Sequence, residues 1–98
     1  MKINYFKNYL DKLSENLIDY DKKDFFKIAQ NLEKIKKNKK KVILVGNGGS
    51  AAMASHVSVD LTKICKIRAI NFNEADLLTC FSNDYGYENW VQKALSFY

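Results

Sequence analysis

Lys41 to Lys63, KVILVGNGGSAAMASHVSVDLTK, is the stretch on which the reading of this chain turns. Lys41 to Val45 is a short apolar, β-branched run, the length of one buried strand. Gly46-Asn47-Gly48-Gly49 then interrupts regular structure. Glycine tolerates positive φ and lets another group approach the backbone closely. Ser50 follows, and a small-residue helix opens with Ala51, Ala52, Ala54 and Ser55. The first turn of such a helix has N–H groups without intrahelical partners and the positive end of the dipole. A glycine turn feeding it suits an anion, most often phosphate. His56 and Asp60 lie one turn apart on the same helix and share a face. One helix therefore offers an anion cradle at its start and an acid–base pair further in.

Working outward, Lys66 to Ile70 is a second short strand. The order strand, helix, strand predicts a parallel pair with a right-handed crossover. Asn71-Phe72-Asn73 reads as a turn, with Asn73 capping a short helix from Glu74 to about Phe81. Ser82 to Gly86 is polar and turn-like, and Tyr87 to Tyr98 is helical, with Trp90, Val91, Ala94 and Leu95 on one side. Upstream, Phe6, Tyr9, Leu10, Leu13, Leu17 and Tyr20 recur at helical spacing over residues 4–20. Asp21 caps a second helix, with Asp24 in its first turn and a stripe of Phe25, Ile28, Ala29, Leu32 and Ile35. The class is α/β: a helical segment over residues 1–38, then an α/β core over residues 39–98.

At 98 residues, 47% hydrophobic and 28% charged, the chain suits one small globular domain. It has no apolar run long enough for a membrane helix, and its N-terminus lacks an apolar signal core. A cytoplasmic location is expected. Cys65 and Cys80 have no paired spacing and read as buried, reduced thiols. The net charge of +5 comes mostly from Lys34 to Lys41, which holds six lysines. Without them ten basic residues face eleven acidic ones. The run reads as a solvated helix end, favourable at a helix C-terminus. It lacks the interleaved aromatics of a nucleic-acid surface, so no nucleic-acid or membrane partner is expected.

GNGGSAAMASHVSVDL resembles the sugar isomerase (SIS) domain, in particular its phosphoheptose isomerase group, whose usual pattern is GNGGSAADAQH. Phe81 to Leu95, FSNDYGYENWVQKAL, resembles that group's Asn-Asp-Tyr-Gly segment and the helix after it. The two motifs stand in the family's order. There are two departures: Met53 replaces an aspartate, and Asp60 replaces the catalytic glutamate four residues after the histidine. The resemblance covers nearly the whole chain but only the first half of a family member. It implies a Rossmann-like αβα sandwich, of which this chain would be a truncated N-terminal part. Two parallel strands alone are few, since parallel sheets need both faces covered. By the same resemblance, the first helix packs across the interface of a homotetramer.

The site chemistry has bland readings too. Gly46 to Ala51 also fits the dinucleotide pattern G-x-G-x-x-A, but the second strand ends Ala69-Ile70-Asn71, without the acid that holds a ribose. Ordinary turn chemistry accounts for Asn83 and Asp84, and a core hydrogen bond for His56. The resemblance implies more: Asn47, Gly48 and Gly49, with Ser50 beside them, contact the sugar, and Asn83 and Asp84 form a second substrate-binding pair. Asparagine donates and accepts, while ionised aspartate only accepts. Asp60 takes the base position in an aldose–ketose isomerisation through an enediol, with a histidine from the missing half in the other role. Some resembling isomerases bind zinc through the matching histidine and acid, so His56 and Asp60 would be half of a metal site. The implied reaction converts sedoheptulose 7-phosphate to D-glycero-D-manno-heptose 7-phosphate for surface polysaccharides of bacteria. The implied alternative is a non-catalytic sugar-phosphate binder with a regulatory or protein-interaction role. The 98 residues alone are expected to be inactive.

Overall fold

The computed structural model describes residues 3–98. Helix α1 spans Ile3–Asp19 and helix α2 Lys22–Lys37. Strand β1 is Lys41–Leu44, helix α3 Gly49–Lys63 and strand β2 Arg68–Asn71. Helices α4, Ala75–Tyr85, and α5, Trp90–Leu95, complete the chain. The class is α/β, as expected. Two compact units divide within α2, between Asn31 and Leu32.

In the first unit, Asp21 Oδ1 accepts from the Lys23 N–H at 2.9 Å, the expected cap of α2. Tyr20 and Phe25 pack across that corner, ring centroids 5.0 Å apart. Helix α1 buries none of its residues. Its apolar stripe, Phe6, Tyr9, Leu10, Leu13 and Leu17, is exposed.

The second unit is built on the parallel pair β1–β2, in register Lys41↔Arg68 to Leu44↔Asn71. The Phe72 N–H donates to the Leu44 carbonyl at 2.9 Å, extending the ladder by one bond. Helix α3 crosses between the strands and buries Ala54 and Leu61. Small residues at Ala51, Ala54, Ser55 and Ser58 let it lie close to the strands, as their half-buried or buried state shows. The core cluster of this unit centres on Phe72, Trp90 and Ala94, packed by Ile43, Ile70, Leu77, Leu78, Phe81 and Val91.

Glycine usually closes a helix in the left-handed conformation, but lysine does so twice here. Lys39 (φ 53°) follows α2 and Lys66 (φ 58°) follows α3. The Lys40 N–H reaches the Ile35 carbonyl and the Ile67 N–H the Leu61 carbonyl, both at 2.9 Å. These bonds satisfy carbonyls that would otherwise be orphaned.

Several expectations are corrected. The chain does bend at Asn71-Phe72-Asn73, with the Asn73 N–H bonded to Asn71 Oδ1, but Asn71 belongs to β2 and Phe72 is wholly buried. Asn73 does not cap α4; Glu74 does, its Oε2 accepting from the Leu77 N–H at 3.0 Å. The Asn73 side chain instead clasps the glycine turn: Oδ1 accepts from the Gly46 N–H and Nδ2 donates to the Gly46 carbonyl, both at 2.7 Å. Helix α4 runs on through the segment read as a turn and ends at Gly86 (φ 86°). The last helix is shorter than expected, beginning at Trp90 rather than Tyr87. Both cysteines are free and exposed, not buried.

Asn73→Ala leaves both backbone polar groups of Gly46 without their partner. It should cost about 1–3 kcal/mol, the usual penalty for orphaning a part-buried polar group. Urea unfolding measures this, and an unchanged midpoint would show that water replaces the clasp.

Candidate functional site

The glycine turn joins β1 to α3, and each glycine has a different reason to be there. A β-carbon at Gly46 would collide with the carbonyl of Ser50 and come within 2.6 Å of the Ala51 nitrogen. Strand end and helix start are therefore in backbone contact. Gly48 takes φ 57° and is the N-cap of α3. A β-carbon at Gly49 would meet nothing within 4 Å, which leaves its backbone open to an approaching group.

No side chain caps α3, and no acidic residue lies in its first turn. Inside the turn, the Ser50 N–H donates to the Asn47 carbonyl at 3.1 Å and the Ala51 N–H to the Gly48 carbonyl at 3.0 Å. Asn47, Gly48, Gly49 and Ser50 are all exposed. The positive end of the helix dipole thus faces solvent without a counter-charge of its own.

A chain of hydrogen bonds holds this turn to the end of β2. Asn71 Nδ2 donates to Ser55 Oγ at 2.7 Å, and Ser55 Oγ donates to the Ala51 carbonyl at 3.0 Å. Asn71 Oδ1 accepts from the Asn73 N–H at 3.0 Å, and Asn73 clasps Gly46. Asn71 stands where a dinucleotide site would present an acid, and its side chain is engaged with α3. That arrangement gives the dinucleotide reading no support.

His56 and Asp60 do meet on α3, with Nε2 3.5 Å from Oδ2. The imidazole is largely exposed and the carboxylate about half so. Among the described residues no group of three His, Cys, Asp or Glu side chains is arranged to hold a metal. Zinc takes three or four protein ligands, so the pair does not make a zinc site by itself.

Asn83 and Asp84 sit in the last turns of α4, both exposed, with Asn83 Nδ2 donating to Asp84 Oδ1 at 3.1 Å. The Cys80 thiol lies 3.7 Å from Asp84 Oδ2. The Asp84 charge, first among several causes, pushes the Cys80 thiol above its ordinary pKa. At the other end of α4, backbone N–H bonds, that of Leu77 foremost, hold the Glu74 carboxyl below its ordinary value. A lowered carboxylate stabilises the fold fully above its unfolded pKa and loses that contribution as the pH falls through the folded one.

Two features lay beyond sequence reasoning. The Tyr87 hydroxyl donates to Asn47 Oδ1 at 2.7 Å across 40 residues, tying the second motif to the glycine turn. Lys66 and Arg68 join Lys36, Lys39 and Lys40 around a depression of about 360 Å³. It lies by the first residues of the strands, whereas the glycine turn follows their last. The motif spacing held no signal for either, because the depression depends on how β2 pairs with β1 and the Tyr87 bond on how the chain after α4 is placed.

Three curated relatives share this pattern of length and similarity. A phosphoheptose isomerase of Fusobacterium nucleatum is 36% identical over 83 residues, covering 80% of this chain and 43% of the relative. One of Helicobacter pylori is 36% identical over 88 residues, covering 84% of this chain and 44% of the relative. The chain is similar to phosphoheptose isomerases. A Buchnera aphidicola protein of the same name is 34% identical over 87 residues, covering 84% of this chain and 42% of the relative. The chain spans less than half the length of these relatives. No family model matches it, and no solved structure does.

Asp84→Asn removes the charge that disfavours the Cys80 thiolate. Alkylation of Cys80 near neutral pH should then quicken roughly two- to fivefold, the scale of one screened charge at this distance. Peptide mapping after timed iodoacetamide treatment reads the rate at each cysteine. An unchanged rate at Cys80 would mean that the carboxylate does not act on the thiol.

Proposed function

We propose that this chain is part of a SIS-domain phosphosugar isomerase that converts a ketose phosphate to an aldose phosphate. The carrying observation is the similarity to phosphoheptose isomerases over most of the chain. The open glycine turn at an uncapped helix start supports the same reading. The substrate is sedoheptulose 7-phosphate and the product D-glycero-D-manno-heptose 7-phosphate, a cytoplasmic precursor of surface polysaccharide. Asn47, Gly48, Gly49 and Ser50 bind the sugar, with Asn83 and Asp84 as a second contact pair.

Asp60 is the base. Its carboxylate takes a proton from C1 of the ketose, and the C2 carbonyl oxygen gains one, which gives the enediol. Return of a proton to C2 and loss of the proton on O1 give the aldehyde. The proton donor at oxygen is a histidine beyond these 98 residues. Any zinc in the whole protein would draw on His56 and Asp60 together with ligands from elsewhere.

One observation favours a second reading, a sugar-phosphate binder without isomerase activity. Asp60 stands where the resembling enzymes have glutamate, and its carboxylate is one methylene shorter. A displacement of about 1 Å can cost on the order of a hundredfold in rate.

A coupled isomerase assay on the whole protein containing this chain tests the first reading. Asp60→Asn should lower kcat by roughly a hundred to ten thousand, the range of general base catalysis, with KM changing far less. Turnover as fast as the unmodified protein would remove Asp60 as the base. If the unmodified protein and Asp60→Glu are both inactive while calorimetry shows sugar-phosphate binding, the binder reading stands.

The oligomer is also proposed. The exposed apolar stripe of α1 packs against its copy in a closed tetramer. Leu13→Asp with Leu17→Asp should reduce the mass measured by light scattering. A mass that stays at that of the unmodified oligomer would place this stripe outside the interface.

A further inference from the structure

We propose that Tyr87 is a positioning residue for Asn47, fixing that side-chain amide so that its Nδ2 is turned toward the ligand. This rests on the reading that the glycine turn binds a sugar phosphate. The bond itself is short, 2.7 Å from the Tyr87 hydroxyl to Asn47 Oδ1. It is not a by-product of burial, because Tyr87 is 56% exposed and lies outside the core. The two residues come from different motifs, and no other side-chain bond links those motifs among the described residues.

The chemistry follows from the donor and acceptor roles. The Asn47 backbone is already fixed, since its carbonyl accepts from the Ser50 N–H. Its side chain would still rotate about two torsions if nothing held it. Tyr87 holds the amide by one lone pair of its oxygen, which turns the NH2, with two donors, away from Tyr87 and toward a ligand. Asn47 is thereby specified for an oxygen that accepts, such as a sugar hydroxyl, carbonyl or phosphate oxygen. A free amide could turn either end to the ligand. Gly86 makes the geometry available: at φ 86° it ends α4 and turns the chain just before Tyr87.

Binding of sedoheptulose 7-phosphate to the whole protein, measured by calorimetry, tests this with four proteins: unmodified, Tyr87→Phe, Asn47→Ala and the double variant. Tyr87→Phe keeps the ring and deletes the hydroxyl. It should weaken binding about three- to tenfold, the cost of ordering one side chain on binding. In the Asn47→Ala background the same change should weaken it by less than about twofold, because coupled residues are non-additive. A merely structural role predicts equal losses in both backgrounds, and that result overturns the proposal. The Asn47 side-chain amide signals in the ligand-free protein supply a second reading by NMR. They should move in Tyr87→Phe while the melting temperature holds, and unmoved signals also overturn it. If the unmodified protein binds no sugar phosphate, the functional reading fails and this inference fails with it. If it binds, and Tyr87→Phe binds as tightly, this inference alone fails.

Discussion

The close approach of Gly46 to the backbone of Ser50 and Ala51 is the contact on which the second unit depends. A β-carbon there has nowhere to go, since the colliding atoms are backbone rather than the end of a flexible side chain. The helix therefore starts directly over the end of the strand, with no room for a longer connection. Asn73 can then reach both polar groups of Gly46, and Asn71 can reach Ser55 on the first turns of α3. Each of these bonds needs the helix where Gly46 allows it to be. The backbone N–H and carbonyl of Gly46 are thus both satisfied by one side chain just beyond β2, as the accounting of part-buried polar groups requires.

This arrangement separates charge along the strands. Beyond their C-terminal ends lies an uncapped helix start without acidic neighbours in its first turn. By their N-terminal ends lies a cluster of five cations, three at the close of α2, Lys66 between α3 and β2, and Arg68 as the first residue of β2. Lysines there oppose the negative ends of two helices, which accounts for them without a ligand. The glycine turn has no such internal partner. That contrast is why the turn, and not the more strongly charged depression, is the better candidate for an anionic substrate.

The core shows how little a local pattern says about depth. Phe72 stands between two asparagines, a context that reads as a turn, and yet it is fully buried. Trp90 and Ala94 from α5 close over it, and the Tyr98 ring packs against it at a tilt of 59°, 5.0 Å between ring centroids. The flanking asparagines are not solvated loop residues, because their amides are spent on Gly46 and Ser55. Polar residues beside a buried aromatic here mark a junction between elements.

Residues 41–63 made strand, turn and helix legible because each has its own period or composition: a β-branched run, a glycine cluster, then small residues at helical spacing. The i, i+4 relation of His56 and Asp60 was legible for the same reason, since helix geometry alone brings them within 3.5 Å. Helices α1 and α2 were visible from their apolar stripes and the Asp21 cap. What the sequence could not show is anything that joins distant segments. Asn73 reads as a cap because capping is the local use of asparagine, while its actual partner is 27 residues away. Ser82 to Gly86 reads as turn-like because it is polar, while backbone bonds and the packing of Phe81 and Leu78 carry the helix on to Gly86. Tyr87 carries no local signal at all. Its hydroxyl finds Asn47 only because the parallel pair, the Gly46 contact and the turn at Gly86 have already placed both chains. Short-range periodicity determined the elements and the residues on their faces, and tertiary contact alone decided which side chains hold the glycine turn in place.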